Sequence, residues 1–237
     1  MAASARSLLL PIGLVTFLLA VDGAVTLGLV STMVVFLHGY GGGPFPVAGP
    51  DGDPFLLSGK PANLVVNQGH TSNAAGGTAL ILVGFGGVFA IWLERRSMKK
   101  WDRPSPFFAL WAVLVLLSWL LTMGALIYTF IETARTDDQA ISVAVAMANP
   151  PPAAYPDGRW TPENWYSAVL DLPLLSADNR RVIGGHLSLM RAWRWNLLAL
   201  FVLGFLLLVL VGWEMVRVRK RDVQKVSMVE VLEEPAQ

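Results

Sequence analysis

An all-α membrane fold, a bundle of four transmembrane helices, is the class this sequence predicts, and three observations carry the prediction. Of 237 residues, 54% are hydrophobic and only 15% charged, and the mean hydropathy is +0.53. That is more apolar matter than one soluble core takes up. Four stretches reach the roughly twenty predominantly apolar residues that cross a bilayer. The short connections between them concentrate Lys and Arg on one side, as cytosolic loops do.

The first span covers 8–37 and is interrupted only by Asp22. A cleaved signal peptide, with Arg6 as its basic start and Leu8–Ala20 as its apolar part, is the competing reading. The run continues to Leu37 without a polar cleavage region, which favours a retained span. The second span, 74–93, follows Thr71, Ser72 and Asn73, residues suited to an N-cap. The third, 106–131, lies between Asp102/Arg103 and Glu132, and the fourth, 195–213, has a tryptophan at each end, where indoles favour the interface.

Orientation follows from the loops. The connection 94–105 holds Arg95, Arg96, Lys99, Lys100 and Arg103, and the tail 214–237 holds Arg217, Arg219, Lys220, Arg221 and Lys225. Both are expected in the cytosol, with both termini, in a plasma or internal membrane. The loops 38–73 and 132–194 then face outward. The second carries Arg135, Arg159, Arg180, Arg181, Arg191 and Arg194, but long loops escape the charge rule. The whole chain, 1–237, reads as a single integral membrane domain.

In the first outward loop Gly39–Gly43 reads as a turn, followed by short apolar pieces at Phe55–Leu57 and Leu64–Val66. Alternation over Ile141–Met147 suits a strand, which leaves room for a small sheet. Thr161-Pro162-Glu163 starts a short helix through about 170. Ser176-Ala177-Asp178 starts another that runs toward span four, with apolar residues interleaved with arginines, as in a surface helix resting in the headgroups.

Candidate functional residues are few. Asp22 is the ionisable group inside a span, expensive there and a functional candidate by default. The same helix carries a stripe of small residues, Thr16, Ala20, Ala24, Gly28 and Thr32, of the kind that lets helix backbones approach closely. Asp22 lies about 200° around the helix from Ala20. His70, Trp160, Trp165 and Trp193 are candidates for an interaction surface on the outward loops. With 0 cysteines and 3 histidines, His38, His70 and His186, at no ligand spacing, neither a metal nor another cofactor is expected. Nucleophile elbows, phosphate loops and dinucleotide fingerprints are missing too, so no enzyme is expected. A net charge of +1 gives no field for nucleic acid. Arg217, Arg219, Lys220 and Arg221 suit anionic lipid headgroups.

The architecture resembles the claudin-type tetraspans and their fungal relatives of the PalI kind, without their cysteine signature. The stretches Val66–Gly76, Glu163–Pro173 and Met190–Asn196 are similar to stretches of four-span membrane proteins of filamentous fungi to which no activity is assigned. The resemblance names a family without naming a function. With no catalytic constellation, few polar groups inside the spans and a close-packing helix face, the chain is expected to be a tetraspan that organises or accompanies other membrane components, including copies of itself. A small transporter or channel subunit using Asp22 is the alternative.

Overall fold

The computed structural model describes residues 7–101 and 103–233, with side chains omitted at 222 and 225–233. Arg6 and Asp102, and the side chain of Lys225, lie outside the described residues. The chain is 75% helical with one two-stranded sheet. Four helices are long and apolar enough to cross a membrane: Leu9–His38, Asn67–Trp101, Pro106–Arg135 and Ala177–Arg221.

The first helix, α1 (Leu9–His38), ends in a 3-10 turn at Tyr40–Gly42, at the glycine-rich turn expected there. Strands β1 (Phe45–Ala48) and β2 (Pro54–Leu57) pair antiparallel. Helix α2 (Asn67–Gly77) passes through a π-helical segment, Thr78–Phe85, into α3 (Gly86–Trp101). Then come α4 (Pro106–Arg135), α5 (Val143–Ala148), α6 (Pro162–Asp171) and α7 (Ala177–Glu233).

Three expectations change. The second long helix starts at Asn67 instead of an N-cap at 71–73. Thr71 and Ser72 turn their hydroxyls back onto the Gln68 carbonyl, at 3.1 and 2.7 Å, so they sit inside a helix instead of starting one. The alternating stretch 141–147 is the short helix α5. Ser142 caps it by accepting from the Val145 N–H, and its alanines are strong helix formers. The arginine-bearing stretch after Ser176 is the start of the 57-residue α7, and its Ile183, Leu187 and Met190 are buried instead of resting on a lipid surface. Thr161 caps α6 as its sequence indicates, accepting from the Asn164 N–H.

Along the described part of α7 the buried positions are Ile183, Leu187, Met190, Trp193, Leu197, Leu200, Gly204, Leu207, Val211, Glu214 and Val218. Steps of three and four residues keep one face of a long helix against its neighbours.

Where the sequence reads as one domain, the backbone divides into two compact units, Met1–Ala24, Ala75–Thr122 and Ala199–Gln237 in the first, Val25–Ala74 and Met123–Leu198 in the second. In the first unit the four long helices meet in a closed cycle. Gly23 of α1 lies against Gly76 and Ala79, and Ala20 lies against Gly84. The π segment carries Gly84, and Trp111 of α4 donates its indole N–H to the Val83 carbonyl there, at 3.1 Å. Trp119 of α4 packs on Phe201 and Gly204 of α7. Glu214 of α7 accepts the Leu8 N–H at the start of α1, at 3.2 Å.

The second unit has an aromatic core of Phe36, Phe45, Tyr155, Trp160, Trp165 and Tyr166. Backbone pairing extends beyond the hairpin: Leu175 N–H donates to Pro46 and Ala48 N–H to the Pro173 carbonyl. Gly59 approaches the Tyr40–Gly42 turn so closely that a Cβ would strike the carbonyl oxygens of Gly41 and Gly43. The same Gly59 carbonyl accepts from the Trp165 indole at 2.8 Å, and the Tyr166 hydroxyl donates to Gly41 at 2.8 Å.

A Cβ added at Gly84 would stand 2.7 Å from the Ala20 methyl. Gly84→Ala is therefore expected to destabilise by about 1–3 kcal/mol, read from thermal unfolding in detergent. Adding Ala20→Gly should recover most of that loss; an unchanged loss would show that this helix contact is not where the strain falls.

Candidate functional site

An open cavity of about 440 Å³ lies in the second unit, lined by Val30, Met33, Val34 and Leu37 of α1, by Gln68 and His70 of α2, and by Pro162, Met190 and Trp193. It is built by the end of α1, the polar first turn of α2 and the buried stripe of α7. Val34 and Val35, both on its wall, are 47% and 73% exposed, so it opens on the apolar flank of α1. His38, His70 and Asn73 give it a polar lip. Among the described residues no Lys, Arg, Asp or Glu lines it.

In the same unit the arginines are held by acceptors of the fold. Glu163, buried at the start of α6, faces Arg194 at 3.1 Å and Arg191 at 3.7 Å. Glu132, buried near the end of α4, faces Arg159 at 3.0 Å and Arg135 at 3.4 Å. Arg180 donates to the carbonyls of Leu170 and Leu172 at the end of α6, at 2.8 and 2.9 Å. Arg181 pairs with Asp178. All six arginines that load this loop thus end on an acceptor of the fold, which is a structural reason for basic residues there. Asn164 ties the same corner together, donating to the Thr133 carbonyl and the Thr136 hydroxyl.

The residues singled out from sequence scatter. Trp160 and Trp165 are core residues, 1% and 0% exposed, and cannot meet a partner. Trp193 is buried as well, whereas His70 is exposed, and these two line the cavity. His38 bonds its ring to the Val34 carbonyl, and His186 stacks on Phe36. The small-residue stripe works over half its length: Thr16 is buried and Ala20 meets Gly84, but Ala24, Gly28 and Thr32 are exposed. The α1 packing face runs instead through Thr16, Ala20 and Gly23, which meet Gly87 of α3, Gly84 of the π segment and Gly76 of α2. Asp22 is half-buried in α1. Arg217 is largely covered and bonded to Glu214, whereas among the described residues of the tail Arg219 and Lys220 are exposed.

Sequence reasoning passed over Gln68, Glu132 and Glu163. Gln68 had a faint signal, as a long polar side chain ahead of an apolar run. Glu163 had none, since its arginines lie 28 and 31 residues away, and Glu132 had only Arg135 three residues on, with Arg159 27 residues away. Searches against family models, curated proteins and solved structures find no match to this chain.

Burial lifts the Glu163 carboxyl above its ordinary range, Arg194 and Arg191 pull it back, and Asp137 pushes it up again. An acid whose folded value is raised contributes stability that is full below the ordinary carboxylate range and is lost as pH climbs through the raised value. The thermal midpoint is expected to fall across that window, and Glu163→Gln to flatten the fall. A profile for E163Q parallel to that of the wild type would contradict the assignment.

Proposed function

We propose that this chain is a four-span membrane protein with both termini in the cytosol, and that it acts without catalysis, organising or accompanying other membrane components. The observation that carries this reading is the use of polar groups. Glu94, Glu132, Glu163 and Glu214 are buried, and each is bound to an arginine or a helix start, which serves shape rather than chemistry. Among the described residues no group of three or more His, Asp and Glu could hold a metal. The four helices turn Leu10, Phe17, Val88, Leu110, Val113, Leu117 and Val202 outward, all at least 50% exposed, a surface that lipid would cover.

For a partner, the exposed apolar residues Leu56, Leu175 and Met147 take the place of the buried tryptophans. Leu56 and Leu175 flank Pro46, which pairs with the first and accepts from the second.

A second reading, a transporter or channel subunit, draws on one observation: Asp22 is half-buried beside Gly23, which packs against the turn leading into the π segment, and π segments recur at functional sites. Single cysteines along 18–26 on this cysteine-free chain test it, since a water-lined path leaves some of them reactive and protection at every position sinks it.

Topology is tested by glycosylation in a eukaryotic host. Asp51→Asn with Asp53→Ser makes an acceptor in the exposed turn before β2, expected to be modified, while the same tripeptide appended to the C-terminus stays unmodified. The reverse pattern would overturn the orientation. Mild-detergent purification should recover a partner or an oligomer that Leu56→Asp with Leu175→Asp loses; recovering neither would count against the organising role.

A further inference from the structure

We infer that the cavity at the end of α1 is a binding site for an uncharged lipid that carries a hydroxyl group on an apolar body. The inference rests on the membrane reading above, because the ligand enters from the bilayer.

The walls set the chemistry. Val30, Val34 and Met190 make an apolar lining, and its volume of about 440 Å³ falls within the usual range for small-molecule sites. Its mouth lies on the exposed valines of α1, the flank that lipid would cover, so an occupant need not cross water to reach it. Among the described residues no Lys or Arg lines it that would hold a phosphate headgroup, and no Asp or Glu that would hold an amine. A charged lipid would therefore bring an uncompensated charge against apolar walls, which costs far more than a neutral group does.

Two lining residues then ask for one specific group. Gln68 is 2% exposed and its Oε1 has no hydrogen-bond partner; Trp193 is 6% exposed and its indole N–H has none. Buried polar atoms are normally paired, and each orphan calls for an explanation. A hydroxyl can donate to Gln68 and accept from Trp193, and a ligand seated in this cavity lies against both residues. Neither an ether nor a hydrocarbon can do both.

The test uses the purified full chain in detergent, with photoreactive analogues of a sterol and of a long-chain alcohol as probes. Labelling is expected to saturate, to map to the peptides around Val34 or Met190, and to be competed by the unlabelled alcohol but not by an anionic phospholipid. Val34→Trp narrows the mouth at a position that is half exposed, and should lower labelling about tenfold or more. Gln68→Leu should weaken the hydroxylated probe but not its methyl ether, since a site built for a hydroxyl discriminates strongly. If V34W fails to fold, Val35→Trp, on the more exposed side of the mouth, replaces it. Val113→Trp, on an exposed apolar face of α4, should change nothing. Labelling that does not saturate, that ignores the mouth variants, or that anionic lipid competes equally would overturn the site. A chain that stays in membranes yet takes no probe defeats only this inference, and one soluble without detergent defeats the membrane reading with it.

Discussion

Among the described residues four buried glutamates, Glu94, Glu132, Glu163 and Glu214, reach into the interior, and the arrangement of the helices depends on how each is held. Glu94 accepts the Ser105 N–H at 2.7 Å, just before α4, and Glu214 accepts the Leu8 N–H at the start of α1. A carboxylate at a helix start meets unpaired N–H groups and the positive end of the helix dipole. In the second unit Glu132 and Glu163 each gather two arginines. A buried charge left without its partner is strongly destabilising, so these glutamates hold helix ends and loops in one register.

That division of labour explains the packing in each unit. Within the first, glycines and alanines let α1 and the second long helix approach closely, and the large aromatics Trp111 and Trp119 fill the space beside α4. Such packing holds helices together where lipid offers no hydrophobic driving force. Within the second, with 0 cysteines to cross-link it, a sheet of two strands is too small to stand alone. Large side chains make the core instead: Trp160, Trp165 and Tyr166 each bury their rings and spend their polar atoms on carbonyls of Asp157, Gly59 and Gly41.

Much of the fold was legible because a long apolar run has one physical solution in a bilayer, and the caps at Thr161 and Ser176 are local chemistry. Helix ends were less legible. Asn67–Asn73 is polar, yet remains helical, with the Thr71 and Ser72 hydroxyls bonded back to the preceding turn. Trp160 and Trp165 looked like surface residues, since tryptophans in a proline-rich loop are interaction candidates; a loop that folds without cross-links needs them inside. The cavity had no signature at all. Its walls come from residues as far apart as Val30 and Trp193, and only the fold brings Gln68 and Trp193 to one space.

The central claim is that four helices turn apolar faces to lipid while small, aromatic and polar residues face one another. Spin labels placed singly along 107–122 of α4 in reconstituted bilayers measure this directly, on a chain that needs no background cysteine removed. Labels at Leu110, Val113, Leu117 and Leu120, which are exposed, should collide with dissolved oxygen and not with a polar relaxant; labels at Trp111, Val115, Ser118 and Thr122, which are buried, should collide with neither. Free collision of the polar relaxant with the exposed set would show those faces in water and contradict the account.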